Sequence, residues 1–186
     1  MRTLLLAFVV LLGGCPAPLV SPYDEVIEKG VVDFYERLNV FVKDMGDAAG
    51  KPEGTYEANT KTYNALEAKL DVLILRASSA SQGTGCRLEA KVYEKVAKVL
   101  DNDMPADMKA SAKDGAGDAN GCNARLLQLV RQQLGFIREI HAKTDKCASP
   151  PGQQVSCLRK ATSETALKIA NQSINAVSVV EAAKRN

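Results

Sequence analysis

SPYDEVIEKGVVDFYERLNVFVKDMG, running from Ser21 to Gly46, decides the fold class of this 186-residue chain. Ile27, Val31, Phe34, Leu38, Phe41 and Met45 alternate steps of four and three, which sets them on one face of an α-helix. Ser21, Pro22 and Asp24 carry the start signals: Ser21 as N-cap, Pro22 in the first helical position, Asp24 completing a capping-box-like arrangement. Gly46, Gly50 and Pro52 end the pattern.

The same periodicity recurs along the chain. Residues 55–80 place Tyr63, Leu66, Leu70, Leu73 and Ala77 on one face, broadened by Ile74 and Leu75. Residues 86–102 carry Leu88, Val92, Val96 and Val99, backed by Leu100. Residues 123–146 carry Leu127, Val130, Leu134, Ile137 and His141, with Leu126, Phe136 and Ile140 alongside. Residues 156–184 carry Leu158, Ala166, Ile169, Ser173, Val177 and Val180. No segment shows convincing strand alternation. Met104 to Gly121 is the one long connection; Pro105 to Lys113 suits a short helix, and the rest is a glycine-rich polar loop. The expectation is an all-α bundle of four to five long helices over residues 21–186, with two disulfides. The last two helices should run antiparallel, and the third and fourth should start at the same end.

Ahead of the bundle, Met1-Arg2-Thr3 is a short basic start and Leu4 to Leu12 an unbroken apolar run. That run is far short of the roughly 20 residues needed to span a bilayer. Gly13 and Gly14, both small, then precede Cys15. This order resembles the lipobox of bacterial lipoproteins. The resemblance covers residues 1–15 alone, and no family is recognisable in the remainder. It implies that residues 1–14 are a signal peptide, that Cys15 becomes the lipidated first residue, and that residues 15–20 are a tether. Pro16 stands where an inner-membrane retention signal would carry aspartate, so the resemblance implies the outer membrane. Acylation binds at about 0.8 kcal/mol per buried methylene, and two or more chains make a stable anchor. Pro16 to Val20, at about 3.5 Å per residue, keeps the bundle beside the bilayer. The expected partners are the membrane, through the lipid, and a membrane-proximal envelope protein on the periplasmic face or the cell surface.

Cys86, Cys122, Cys147 and Cys157 remain, an even number that suits two disulfides in an exported chain. Cys122 and Cys147 bracket a helical pattern of about 25 residues, some 37 Å long, and disulfide α-carbons lie within about 7 Å. Those two therefore do not pair. Cys147 and Cys157 flank a short turn and bridge readily, which leaves Cys86 with Cys122. Cys86–Cys147 with Cys122–Cys157 is the alternative, requiring Cys157 to reach the far end of the helix. A metal site fits poorly, because no C-x-x-C spacing occurs and the chain has one histidine.

The chemistry is thin. With 24 basic and 22 acidic side chains, no basic excess exists to displace phosphate counterions, so nucleic acid is not an expected partner. Any histidine-based acid–base pair must use His141, near the end of its helix, where packing and the helix dipole account for it. As a weak ligand candidate for a haem or metal, His141 would need a second ligand such as Met45, Met104 or Met108, and no C-x-x-C-H motif is present. Asp114 to Gly121 resembles a calcium loop only faintly: Ala116 and Arg125 occupy positions that require ligands. No phosphate loop or G-x-S-x-G elbow appears. No catalytic residue, metal or cofactor is assigned. The expectation is a non-enzymatic, lipid-anchored interaction or assembly module; the alternative is a carrier with a small ligand or cofactor held between the helices.

Overall fold

The computed structural model describes residues 21–81, 121–148 and 152–185. Four long helices dominate: α1 (Glu25–Asp47), α2 (Tyr56–Ala80), α3 (Cys122–Glu139) and α4 (Lys160–Ala183). A 3-10 turn, Pro52–Gly54, joins α1 to α2. α3 runs into one π-helical turn, Ile140–Thr144, followed by two short strands, β1 (Lys146–Ala148) and β2 (Gln154–Ser156). Of the five helical patterns, residues 86–102 lie outside the described residues, as do residues 1–20 and most of the Met104–Gly121 connection.

α1 starts later than its sequence suggests. Asp24, not Ser21, is the N-cap: its Oδ1 accepts the amides of Val26 and Ile27 at 2.9 and 3.2 Å. The Ser21 hydroxyl instead accepts a hydrogen bond from Lys184 Nζ at 2.8 Å. α2 begins where its pattern does, with Thr55 Oγ1 accepting the Ala58 amide.

Two helix ends need correction. Residues 123–146 are not one α-helix, and the last helix starts at Lys160 rather than Ser156. Between them β1 and β2 pair antiparallel, with Cys147 opposite Val155, where the sequence shows no strand. Three-residue strands carry too little alternation to be read. The Cys147–Cys157 disulfide brings the two flanks together, with α-carbons 5.8 Å apart, and backbone pairing follows. Asp145, almost fully buried, then caps α4 from outside: its Oδ2 accepts the Arg159 amide at 3.0 Å and the Thr162 hydroxyl.

The four helices form a closed ring. α1 packs on α2 and α4, and α3 packs on the same two from the opposite corner. Arg138 on α3 meets Glu67 on α2, while the earlier Arg131 meets the later Asp71, so these two helices are antiparallel. Asp24 at the start of α1 meets Glu181 near the end of α4, so that pair is antiparallel too. The described helices are therefore an up-down-up-down bundle. Phe34, Leu38, Tyr63, Leu70, Leu127, Leu134 and Ile137 fill its axis. Ala166, Ala170 and Ala176 give α4 small buried side chains, which let its neighbours approach closely.

This topology sets what each end holds. Ser21, the end of α2, the start of α3 and the end of α4 share one end, the Ser21 end. Gly121 stands against Ser81 there: a Cβ on Gly121 would overlap the Ser81 side chain. The described residues on either side of 82–120, Ser81 and Gly121, are thus adjacent. The 3-10 turn, the π turn and the disulfide hairpin make the opposite end, the hairpin end.

Candidate functional site

Both ends hold buried polar clusters. At the hairpin end, α2 aims Tyr63 and α3's continuation aims His141 into the interior, and both are fully buried. Gly54, held by the 3-10 turn, has no room for a side chain because a Cβ would overlap the Ala48 carbonyl. Its own carbonyl accepts from His141 Nε2–H at 2.9 Å. That donation makes Nδ1 the acceptor, and the Tyr63 hydroxyl donates to it at 3.0 Å. The ring is the neutral tautomer with both nitrogens engaged.

The surroundings keep this pair uncharged. Burial lowers the His141 pKa from its ordinary value, against the hydrogen bond to Gly54 and the carboxylates of Glu57 and Asp145. Burial likewise raises Tyr63 far above the usual phenol value, helped by Tyr56 and opposed by Arg138. Phe41 meets the Tyr63 ring edge-on at 4.9 Å, and the Arg138 guanidinium lies 5.8 Å from both the Tyr56 and Tyr63 rings. Arg138 also donates to Tyr56 Oη at 3.0 Å and to Glu67 at 2.9 Å. Both shifts favour the neutral forms, and neither ring reaches solvent.

The first turn of α2 is tied to the hairpin. The Tyr56 amide donates to Ser156 Oγ at 2.9 Å, and that hydroxyl donates to Glu57 at 2.8 Å. The Ser156 hydroxyl is the main reason the Glu57 carboxyl sits below the ordinary range.

At the Ser21 end, Glu181 is fully buried and Lys184 nearly so. Glu181 Oε1 accepts from Lys184 Nζ at 2.8 Å and from the Asn123 amide group, while Oε2 accepts the Asp24 amide at 2.9 Å. Lys184 reaches on to Ser21. Outside this pair, Arg76 donates to Asp24 at 2.7 Å, and Arg185 reaches Tyr23 and Glu28. Burial penalises the Asp24 carboxylate, yet Arg76 and the Ile27 and Val26 amides outweigh it and hold the pKa low. Glu28 of α1, Arg76 of α2 and Glu181 of α4, with Lys184 and Arg185 just beyond it, thus hold the segment that follows the expected tether, and Asn123 of α3 holds Glu181. Sequence reading missed Glu181, Lys184 and Asn123. The available signal was Glu181 itself, an acidic side chain in register with Val177 and Val180 on an apolar seam.

Two open grooves and one apolar strip complete the described surface. A groove of about 620 Å³ lies between α1 and α4, lined by Val32, Tyr35, Leu167 and Asn171. Another of about 620 Å³ lies between α1 and α2, with Val40 and Leu66 among charged neighbours. On the outer face of α2, Val72 and Leu75 are 65% and 69% exposed.

Cys15, Cys86, Met104, Met108 and residues 114–120 lie outside the described residues, and the Cys122 side chain is not described either. The pairing of Cys86 with Cys122 therefore falls outside them. Met45 packs on the buried face of α1. Among the described residues no three His, Cys, Asp or Glu side chains gather as a metal site. Among them, too, no helix is long and apolar enough to cross a membrane. No protein-family model matches the chain, and no curated protein or solved structure is significantly similar to it.

Proposed function

We propose that the chain is a lipid-anchored envelope lipoprotein whose helical bundle serves as a non-enzymatic interaction or assembly module. The observation that carries this reading is the order basic start, apolar run, Gly13-Gly14-Cys15, set only Pro16 to Val20 ahead of Ser21. Ser21, Tyr23 and Asp24 are bonded to Lys184, Arg185 and Glu181 at the end of the chain's last helix, so the residues that follow the expected tether are fixed to one end of the bundle. The Cys147–Cys157 disulfide suits an oxidising compartment such as the periplasm. An outer-membrane destination and a membrane-proximal protein partner belong to the same proposal. His141 lends no support to a ligand or cofactor carrier, since its two nitrogens bond Tyr63 and Gly54.

The test is metabolic labelling with a palmitate analogue in a bacterial host, followed by membrane fractionation. The wild-type chain should label and sediment with membranes, and Cys15→Ser should do neither. Labelling that survives in Cys15→Ser, or a wild-type chain recovered unlabelled in the soluble fraction, overturns the anchor. Crosslinking in cells then tests the module: a small molecule extracted at one per chain, with no protein neighbour captured, favours the carrier.

A further inference from the structure

The two open grooves have the same volume, about 620 Å³, and unlike linings. Between α1 and α2, Asp33, Glu36, Arg37, Asp44 and Lys69 set charge along both walls. Between α1 and α4 the only charged lining residues are Glu164 and Lys168, one turn apart at one end and opposite in sign. The rest of that wall is neutral: from Ile169 to Val180 α4 carries no charged residue, in a chain that is 25% charged. Asn171, Gln172, Asn175 and Ser178 line it with amides and a hydroxyl. Val32 and Tyr35 form the α1 wall, 46% and 41% exposed.

The tyrosine is held where it stands. Asn39 and Asn171 exchange side-chain hydrogen bonds between α1 and α4 at 3.0 and 2.9 Å, and Asn39 also donates to the Tyr35 carbonyl at 2.7 Å. The side chains of Tyr35, Gln172, Asn175 and Ser178 make no hydrogen bond to another described residue. Their hydroxyls and amides are left to bond solvent or a ligand.

We propose that the groove between α1 and α4 binds a neutral carbohydrate, a short run of sugar units. A sugar ring has C–H-rich faces that pack on an aromatic ring, and edge hydroxyls that both donate and accept. Tyr35 answers the first with an apolar ring and a polar tip. The amides, each donor and acceptor at once, answer the second. Absence of charge decides the ligand class. A charged group would be desolvated on the Asn171–Ser178 wall without a counter-charge, whereas a neutral polyol exchanges bonds to water for bonds to amides. The volume of about 620 Å³ falls inside the range of small-molecule sites. Its ten lining residues fall short of the about 20–30 a side that a protein interface uses. The groove binds such a chain with or without the lipid anchor.

Saturation-transfer NMR on the full-length protein with chitotetraose, cellotetraose and maltotetraose tests this. At least one of the three should receive saturation at its ring C–H protons. Preference for chitotetraose identifies an acetamido glycan, and preference for either glucose oligomer a plain glucan. Tyr35→Ala should weaken the binding about tenfold and Asn175→Ala about threefold to tenfold, with cooperative melting retained in both. Tyr35→Phe keeps the stacking face and should keep most of the affinity, while Val40→Ala, in the charged groove, should leave it unchanged. Saturation of none of the three sugars overturns the proposal, as does wild-type affinity in Tyr35→Ala. A photo-crosslinking amino acid at Gln172 that captures a polypeptide in cells, with no sugar bound in the titrations, gives the groove to a protein instead.

Discussion

Gly121 and Ser81 are in contact although residues 82–120 separate them in sequence, and Gly121 holds a φ of +73° that side chains rarely adopt. Gly121→Ala therefore combines two penalties, a left-handed backbone worth about 1–2 kcal/mol and a methyl group driven into Ser81. Urea unfolding should show the midpoint fall with an unchanged slope. Adding Ser81→Gly should restore the steric share alone. An unchanged midpoint in Gly121→Ala would mean that the two strands of chain do not meet.

Lys184 and Glu181 make the second prediction. Removing one partner of a buried ion pair leaves an uncompensated charge and costs about 3–5 kcal/mol. Lys184→Met should be destabilised on that scale, because Glu181 stays fully buried between Asn123 and the Asp24 amide. Glu181→Gln combined with Lys184→Met should recover part of the loss, since no bare carboxylate remains and the amide oxygen still accepts. Thermal melts of both variants measure it, and equal losses would sink the argument.

The seams behind this bundle were legible because apolar side chains recur at helical spacing and nothing else explains them. Ile27, Val31, Phe34, Leu38, Phe41 and Met45, and Tyr63, Leu66, Leu70, Leu73 and Ala77, are buried as the periodicity implies, whereas Leu75, expected to broaden the second face, is exposed and Ile74 only half-buried. What escaped depends on partners distant in sequence. Ser21 and Asp24 both read as caps, and Lys184, far along the chain, draws Ser21 away. The π turn at Ile140–Thr144 leaves no mark, because its signature is a backbone bond from the Asp145 amide to the Ile140 carbonyl. β1 and β2 exist because a disulfide juxtaposes them. His141 was visible as a lone histidine, but Gly54 and Tyr63 could be matched to it only in three dimensions.

The disulfide gives a third prediction. Closing a loop of about ten residues contributes roughly 2–3 kcal/mol by restricting the unfolded chain. The Cys147→Ser and Cys157→Ser double variant should melt several degrees lower than the wild type. Hydrogen exchange should rise first at Tyr56 and Glu57, which Ser156 ties to the hairpin. Loss spread evenly over α1 to α4 would show that the hairpin end is not a separate unit.

The pH dependence of stability follows from His141. Burial lowers its pKa in the folded protein, so between that value and the ordinary one of about 6.5 the unfolded chain binds a proton that the folded chain refuses. When the unfolded state binds more protons, stability rises with pH. This contribution is therefore complete above the ordinary histidine pKa and is lost as the pH falls through the window beneath it. Protonation also turns Nδ1 from acceptor into donor and forces the Tyr63 hydroxyl to reverse its bond. His141→Gln removes the titration, keeping a donor for Gly54 and an acceptor for Tyr63. Urea midpoints measured from about pH 7.5 to about pH 5.5, above most carboxylate pKa values, should fall in the wild type and stay nearly flat in His141→Gln. Parallel slopes in the two proteins would assign the acid sensitivity to other groups and leave His141 as packing alone.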